Sequence, residues 1–175
     1  MRAATDLLSQ YAEYHRDRRN IVSHFIGVPM IVFAVGVLLA RPAFSLRGLA
    51  LSPTWLAFGL AAAWYLSRGN LALGVAVSAV VGTLMLLAHQ VAYGSFTAWL
   101  AWGLGMFVVG WVIQFVGHWY EGKKPAFVDD IVGLLVGPMF VVAELMFILG
   151  WNRPLHAEIE RRAGPTVLRD MARIA

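Results

Sequence analysis

The chain contains no cysteine, so disulfides and thiolate metal ligands are excluded, and any bound metal must rest on nitrogen and oxygen donors. Charge is also scarce: Asp, Glu, Lys and Arg make up 14% of the 175 residues, against roughly 25% in an ordinary soluble domain. The long apolar segments largely lack polar stripes, which argues against a soluble helical bundle. What fills the chain instead is a hydrophobic content of 59% and a mean hydropathy of +0.68. Together these point to one compact membrane domain.

Five apolar runs occupy residues 21–40, 51–66, 71–88, 96–116 and 131–151. A helical span takes roughly 20 apolar residues, so the first, fourth and fifth runs are long enough and the second is marginal. Ser67-Arg68-Gly69-Asn70 joins the second and third as a tight helical hairpin. The first run lies too far behind Tyr11, Glu13, Tyr14 and His15 to read as a cleaved export signal. Gly137-Pro138 interrupts the fifth, and Glu144 sits within it. Because proline removes a donor, a bent span or a re-entrant pair of short helices is expected there, with the re-entrant form favoured. The expected fold is all-α: a polytopic membrane helical domain over residues 1–152, with four crossings and a kinked or re-entrant fifth element. A basic C-terminal tail, 153–175, follows as a polar, partly helical surface segment ended near Gly164-Pro165.

Charge placement gives an orientation. In a four-span arrangement Arg2, Arg16, Arg18, Arg19, Arg68, Lys123 and Lys124 share one side, which the positive-inside tendency makes cytoplasmic. A re-entrant fifth element returns Arg153, Arg161, Arg162, Arg169 and Arg173 to that side, leaving Arg41 and Arg47 as exceptions. Tyr11, Tyr14, Trp119 and Tyr120 read first as interface anchors. The net charge of +4 is accounted for by this topology, so nucleic acid is not an expected partner. The expected location is a bacterial inner membrane.

Four of the five histidines lie at or near the ends of apolar runs, where an imidazole costs free energy unless it has a partner. In one uninterrupted helix His15 and His24 would point in nearly opposite directions, so they can share a metal only if the chain turns between them. Asp17-Arg18-Arg19-Asn20 is the expected turn, with Asn20 as the cap of the helix carrying His24. His118 and Glu121 lie on one helical face, and the topology returns them to the His15 side. The bland alternative for each histidine is a hydrogen bond to backbone or lipid. Glu121 can instead orient a histidine or pair with Lys123 or Lys124. Gln114, one turn before His118, can orient that ring or a bound oxygen species, or bond between helices. Glu144 can accept a proton from a ligating histidine, or serve helix packing. His89 lies roughly 27 Å of helix from the Arg68 side and is expected outside the site, as is His156 in the tail.

The pattern Tyr11-x2-Tyr14-His15-x4-Asn20-x3-His24-x4-Pro29, then Gly110-Trp111-x2-Gln114-Phe115-x-Gly117-His118, then Glu121, Pro125-Ala126 and Gly137-Pro138, resembles the Mpo1-like family over about residues 7–150. The resemblance implies a membrane enzyme of fatty acid α-oxidation that uses ferrous iron and dioxygen to cleave the C1–C2 bond of a 2-hydroxy fatty acid. The products are carbon dioxide and an acid one carbon shorter. It further implies His15, His24 and His118 as iron ligands, and Gln114, Glu121 and Glu144, singled out above from the residues themselves, are the catalytic candidates near them. Lys123 and Lys124, possible helpers Arg18 and Arg19 beside them, are expected to draw the substrate carboxylate to the interface, close to an active site near the cytoplasmic face. Two other readings stay open: a lipid-binding membrane protein with structural histidines, and a metal-dependent lipid hydrolase.

Overall fold

The computed structural model describes residues 2–41, 43–46 and 49–170. Among them are seven α-helices: α1 (Ala4–Ala12), α2 (Arg18–Ala40), α3 (Pro53–Leu66), α4 (Leu71–Ala92), α5 (Phe96–Glu121), α6 (Gly133–Ile148) and α7 (Arg153–Ala163). A small antiparallel hairpin, β1 (Phe44–Leu46) with β2 (Leu49–Leu51), links α2 to α3. Arg47, at its tip in sequence, and Arg173 lie outside the described residues.

Helices α2, α4 and α5 are long and apolar enough to cross a membrane. The 14 residues of α3 and 16 of α6 reach only about 21 and 24 Å, short of a typical hydrocarbon core of about 30 Å. Exposed Leu56, Leu60, Leu86, Val108, Val109 and Val112 form the kind of broad apolar surface that suits lipid rather than water.

α2 is the central element because α5 packs along it by close backbone approach. A β-carbon at Gly110 would sit 2.7 Å from Ile31 Cγ1, and one at Gly117 would overlap the Ser23 hydroxyl. Glycines seven residues apart thus give α5 a flat strip against α2, a usual device where lipid supplies no hydrophobic drive between helices. The expected hairpin joins α3 to α4, with Asn70 Oδ1 capping the Leu73 N–H at 3.1 Å.

The opposite ends of the bundle are distinct. Arg68 meets α1 through the Ala4 N–H, which donates to its carbonyl at 2.9 Å, and Lys123 Nζ donates to the Glu13 carbonyl at 2.8 Å. Both basic residues therefore share the α1 end. At the other end Arg41 lies over the Phe96 and Trp99 rings, and His89 meets Ser52 at 2.9 Å. On the α1 side, Leu7, Leu8, Met139, Phe140, Leu155 and Ile159 close one hydrophobic core from α1, α6 and α7. The tail helix is thus packed into the domain.

The fifth apolar run is not the expected pair of short helices. α6 continues unbroken through Pro138. A proline inside a helix costs about 3 kcal/mol, whereas burial of a large apolar side chain is worth about 1.5–3 kcal/mol, and here Val136, Met139, Phe140 and Val142 are all buried. The chain dips between α5 and α6, where Phe127 packs 4.9 Å from the Trp111 ring, and returns by α6 to bring Glu144 within 3.7 Å of Arg16. Both ends of this excursion lie on the α1 side.

Candidate metal centre

The turn that delivers His15 comes earlier than expected. α1 ends at Ala12, the His15 N–H donates to the Ala12 carbonyl at 3.0 Å, and α2 already begins at Arg18. Asp17, not Asn20, is the cap: its Oδ1 accepts the Arg19 N–H at 2.8 Å. Asn20 lies inside α2, and its Nδ2 reaches the Tyr14 carbonyl at 3.0 Å. Asp and Asn are equally good caps locally. Glu121 decides between them, because its Oε2 accepts the N–H groups of Arg16 at 2.9 Å and Asp17 at 2.7 Å.

With the chain reversed there, the three histidines converge. Ring centroids lie 4.3 Å apart for His15 and His24, 4.9 Å for His15 and His118, and 5.2 Å for His24 and His118. All three are buried, and one nitrogen from each falls within 4.8 Å of the others. His15 Nδ1 donates to the Tyr11 carbonyl at 2.6 Å, and His24 Nδ1 donates to the Asn20 carbonyl at 2.9 Å, a tautomer choice inferred from those carbonyls. The remaining Nε2 atoms face each other at 2.9 Å. Two lone pairs so placed repel unless a proton or a cation lies between them. Burial, reinforced by the neighbouring imidazoles, pushes protonation of His15 well below the ordinary histidine range, so the ring is neutral and its nitrogen is free to act as a ligand. Two imidazoles at right angles about a small divalent ion, each at about 2.1 Å, would stand about 3.0 Å apart, so the pair fits such an ion. Three imidazoles without thiolate suit iron, zinc, copper or nickel and do not choose among them.

Tyr11, read from the sequence as an interface anchor, belongs to this centre. Its ring stacks on His15 at 4.1 Å, and Phe140 covers His15 from another side at 5.3 Å. Burial keeps the Tyr11 phenol protonated. The signal was present in sequence: Tyr11 and His15 are four apart, hence neighbours on a helical turn.

A cavity of 60 Å³ opens beside His24 and His118. Val28, Ile31, Val32, Trp111, Phe127 and Leu134 make it chiefly apolar, while Tyr11 and Gln114 bring polar groups to it. Gln114 is buried against Gly27, and its Nε2 has no hydrogen-bond partner among the described residues. An unpaired buried donor costs about 1–3 kcal/mol, so a group in the cavity that accepts from it would be favoured.

The other expected site residues fall around this centre. Glu121 is fully buried, with Oε2 taken by the turn and Oε1 2.7 Å from the Arg169 guanidinium. Glu144 meets Arg16. Lys123 holds the Glu13 carbonyl, Lys124 pairs with Asp129 at 2.5 Å, and neither lines the cavity. His89 stacks on Trp55 at the far end, and His156 stacks on Phe147.

A helical protein with membrane-length apolar helices and a buried three-histidine pocket at one end is the class that this fold and site define. The chain belongs to the Mpo1-like family: the family model described as "2-hydroxy-palmitic acid dioxygenase Mpo1-like" matches residues 1–149. It is 34% identical over 164 residues to the 2-hydroxy-palmitic acid dioxygenase MPO1 of Saccharomyces cerevisiae, covering 89% of this chain and 88% of that protein. No solved structure matches it.

Proposed function

We propose that the protein is an iron(II)-dependent dioxygenase of 2-hydroxy fatty acids, with its site near the cytoplasmic face of a bacterial inner membrane. The observation that carries this reading is the facing pair of Nε2 atoms on His15 and His24, 2.9 Å apart beside His118, in a chain of the Mpo1-like family. His15, His24 and His118 would hold the metal. Ferrous iron, when bound, supplies open positions for an oxygen-donor substrate and for dioxygen.

The overall reaction balances without another reductant: R–CHOH–COOH and dioxygen give R–COOH, carbon dioxide and water, with all four electrons drawn from the acid. The chain's own residues then have binding and exclusion to perform. Gln114 Nε2–H and the Tyr11 hydroxyl donate to the carboxylate or 2-hydroxyl of the substrate head. The apolar wall from Val28 to Leu134 receives the first part of the acyl chain and keeps water out. A cavity of 60 Å³ is too small for a whole fatty acid, so the rest of the chain extends past exposed Leu134 toward lipid. Glu121 and Glu144 act through the His15 turn and Arg16, as positioning residues. Lys123 and Lys124, held in the structure by the Glu13 carbonyl and by Asp129, would meet the carboxylate at the interface before it enters.

The test supplies iron-loaded protein with dioxygen and 2-hydroxypalmitic acid, and measures oxygen uptake together with the acid one carbon shorter. Palmitic acid, which lacks the 2-hydroxyl, is the control. Equal consumption of oxygen and formation of shortened acid supports the reading; folded, iron-loaded protein that makes no product rejects it.

A further inference from the structure

The tail beyond α7 does not leave the domain but runs back along the turn that carries His15. The Val167 N–H donates to the Arg16 carbonyl at 2.8 Å, and the Arg18 N–H donates to the Val167 carbonyl at 2.9 Å, a parallel bridge around Asp17. Arg16 Nη1 donates to the Gly164 carbonyl at 3.0 Å. Arg169 closes the arrangement three ways. Its N–H donates to Asp17 Oδ2 at 2.9 Å, its carbonyl accepts from Arg19 Nη2 at 2.8 Å, and its guanidinium lies 2.7 Å from Glu121 Oε1.

The turn is thereby gripped from two sides. Glu121, one helical turn after His118, holds the N–H groups of Arg16 and Asp17, immediately after His15. Residues 164–169 hold the same turn from the tail. Asp17 and Glu121 are both fully buried, and a buried carboxylate without a cationic partner is strongly disfavoured. Arg19 answers Asp17, and Arg169 answers Glu121. The distance between His15 and His118 is thus fixed through a carboxylate whose charge is balanced from the tail.

We infer that residues 164–169, through Arg169, are a positioning element of the three-histidine centre that sets its affinity for metal. The element lies beyond residues 1–149, which the family model covers. The inference rests on the metal reading proposed above.

Full-length Arg169→Ala, Arg169→Lys and Val167→Pro variants test it, with Arg161→Ala as a control on a surface pair with Glu158. Val167→Pro removes the N–H that meets Arg16, and also fixes φ at 167 and restricts Thr166, so it is read together with Arg169→Ala, which leaves the backbone bridge intact. Co(II) in place of Fe(II) gives both a binding isotherm and a visible spectrum. Arg169→Ala and Val167→Pro should weaken Co(II) binding by about 10–100-fold, as changes beside ligating histidines typically do. Arg169→Lys should restore most of it, and Arg161→Ala should leave it unchanged. Parental affinity and spectrum in both weakened designs, with helical content intact, would overturn the inference while leaving the metal reading standing. A loss in Arg169→Ala that Lys does not restore and that tracks a loss of helical content would overturn it too. No Co(II) binding by the parent chain would overturn the metal reading and the inference with it.

Discussion

Gly117 lies so close to Ser23 that a β-carbon on it would overlap the serine hydroxyl and come within 2.6 Å of Asn20 Oδ1. This contact sets how near α5 comes to α2, one residue before His118 and one residue before His24. The spacing of two histidines thus depends on a missing side chain.

Gly117→Ala should therefore destabilise the fold by about 1–3 kcal/mol, the usual cost of overpacking, despite the better helix propensity of alanine. Gly59→Ala on α3 meets nothing within 4 Å and should be neutral or stabilising by a few tenths of a kcal/mol up to about 1 kcal/mol. Thermal unfolding in one detergent checks both. Equal behaviour of the two variants would mean that α2 and α5 are not in this contact.

Gln114→Leu removes the unpartnered donor from the cavity and keeps side-chain bulk. A site that hydrogen-bonds a substrate hydroxyl discriminates strongly against the analogue lacking it. The variant should lose at least about tenfold in the kcat/KM ratio for 2-hydroxy over unsubstituted acid, with iron content unchanged. Tyr11→Phe should act in the same direction, since only the hydroxyl is removed. An unaltered ratio in both would remove these two groups from substrate recognition.

The absence of cysteine makes the topology directly measurable. Lys123→Cys and Arg2→Cys should label from one side of sealed vesicles with an impermeant thiol reagent, and Gly94→Cys from the other. Labelling of positions 2 and 123 from opposite sides would contradict the shared α1 end.

How much of this could be read from the sequence varied with the range of the forces involved. The three histidines were legible because imidazoles in apolar runs need partners, and four alternating passes bring residues 24 and 118 to one end. The hairpin at Arg68 was legible from Gly69 and Asn70. The location of the His15 turn was not, because Asp17 and Asn20 cap equally well in isolation and a carboxylate at position 121 chose between them. Continuity of α6 was hidden for a related reason: Pro138 signals a break locally, and only packing by Met139 and Phe140 offsets it. The tail's grip on Asp17 joins residues 150 positions apart, and on the tail side it meets the turn at Asp17 by the backbone groups of Val167 and Arg169, which leave no side-chain pattern in the sequence.

The central claim is that His15, His24 and His118 hold one metal ion, and metal analysis of anaerobically reconstituted protein tests it most directly. One iron per chain is expected in the parent and in His89→Ala, whose ring lies at the other end of the bundle. His15→Ala, His24→Ala and His118→Ala should each lose most of it while retaining helical content. Undiminished iron in the His24 and His118 variants, or no stoichiometric iron in the folded parent, would contradict the account.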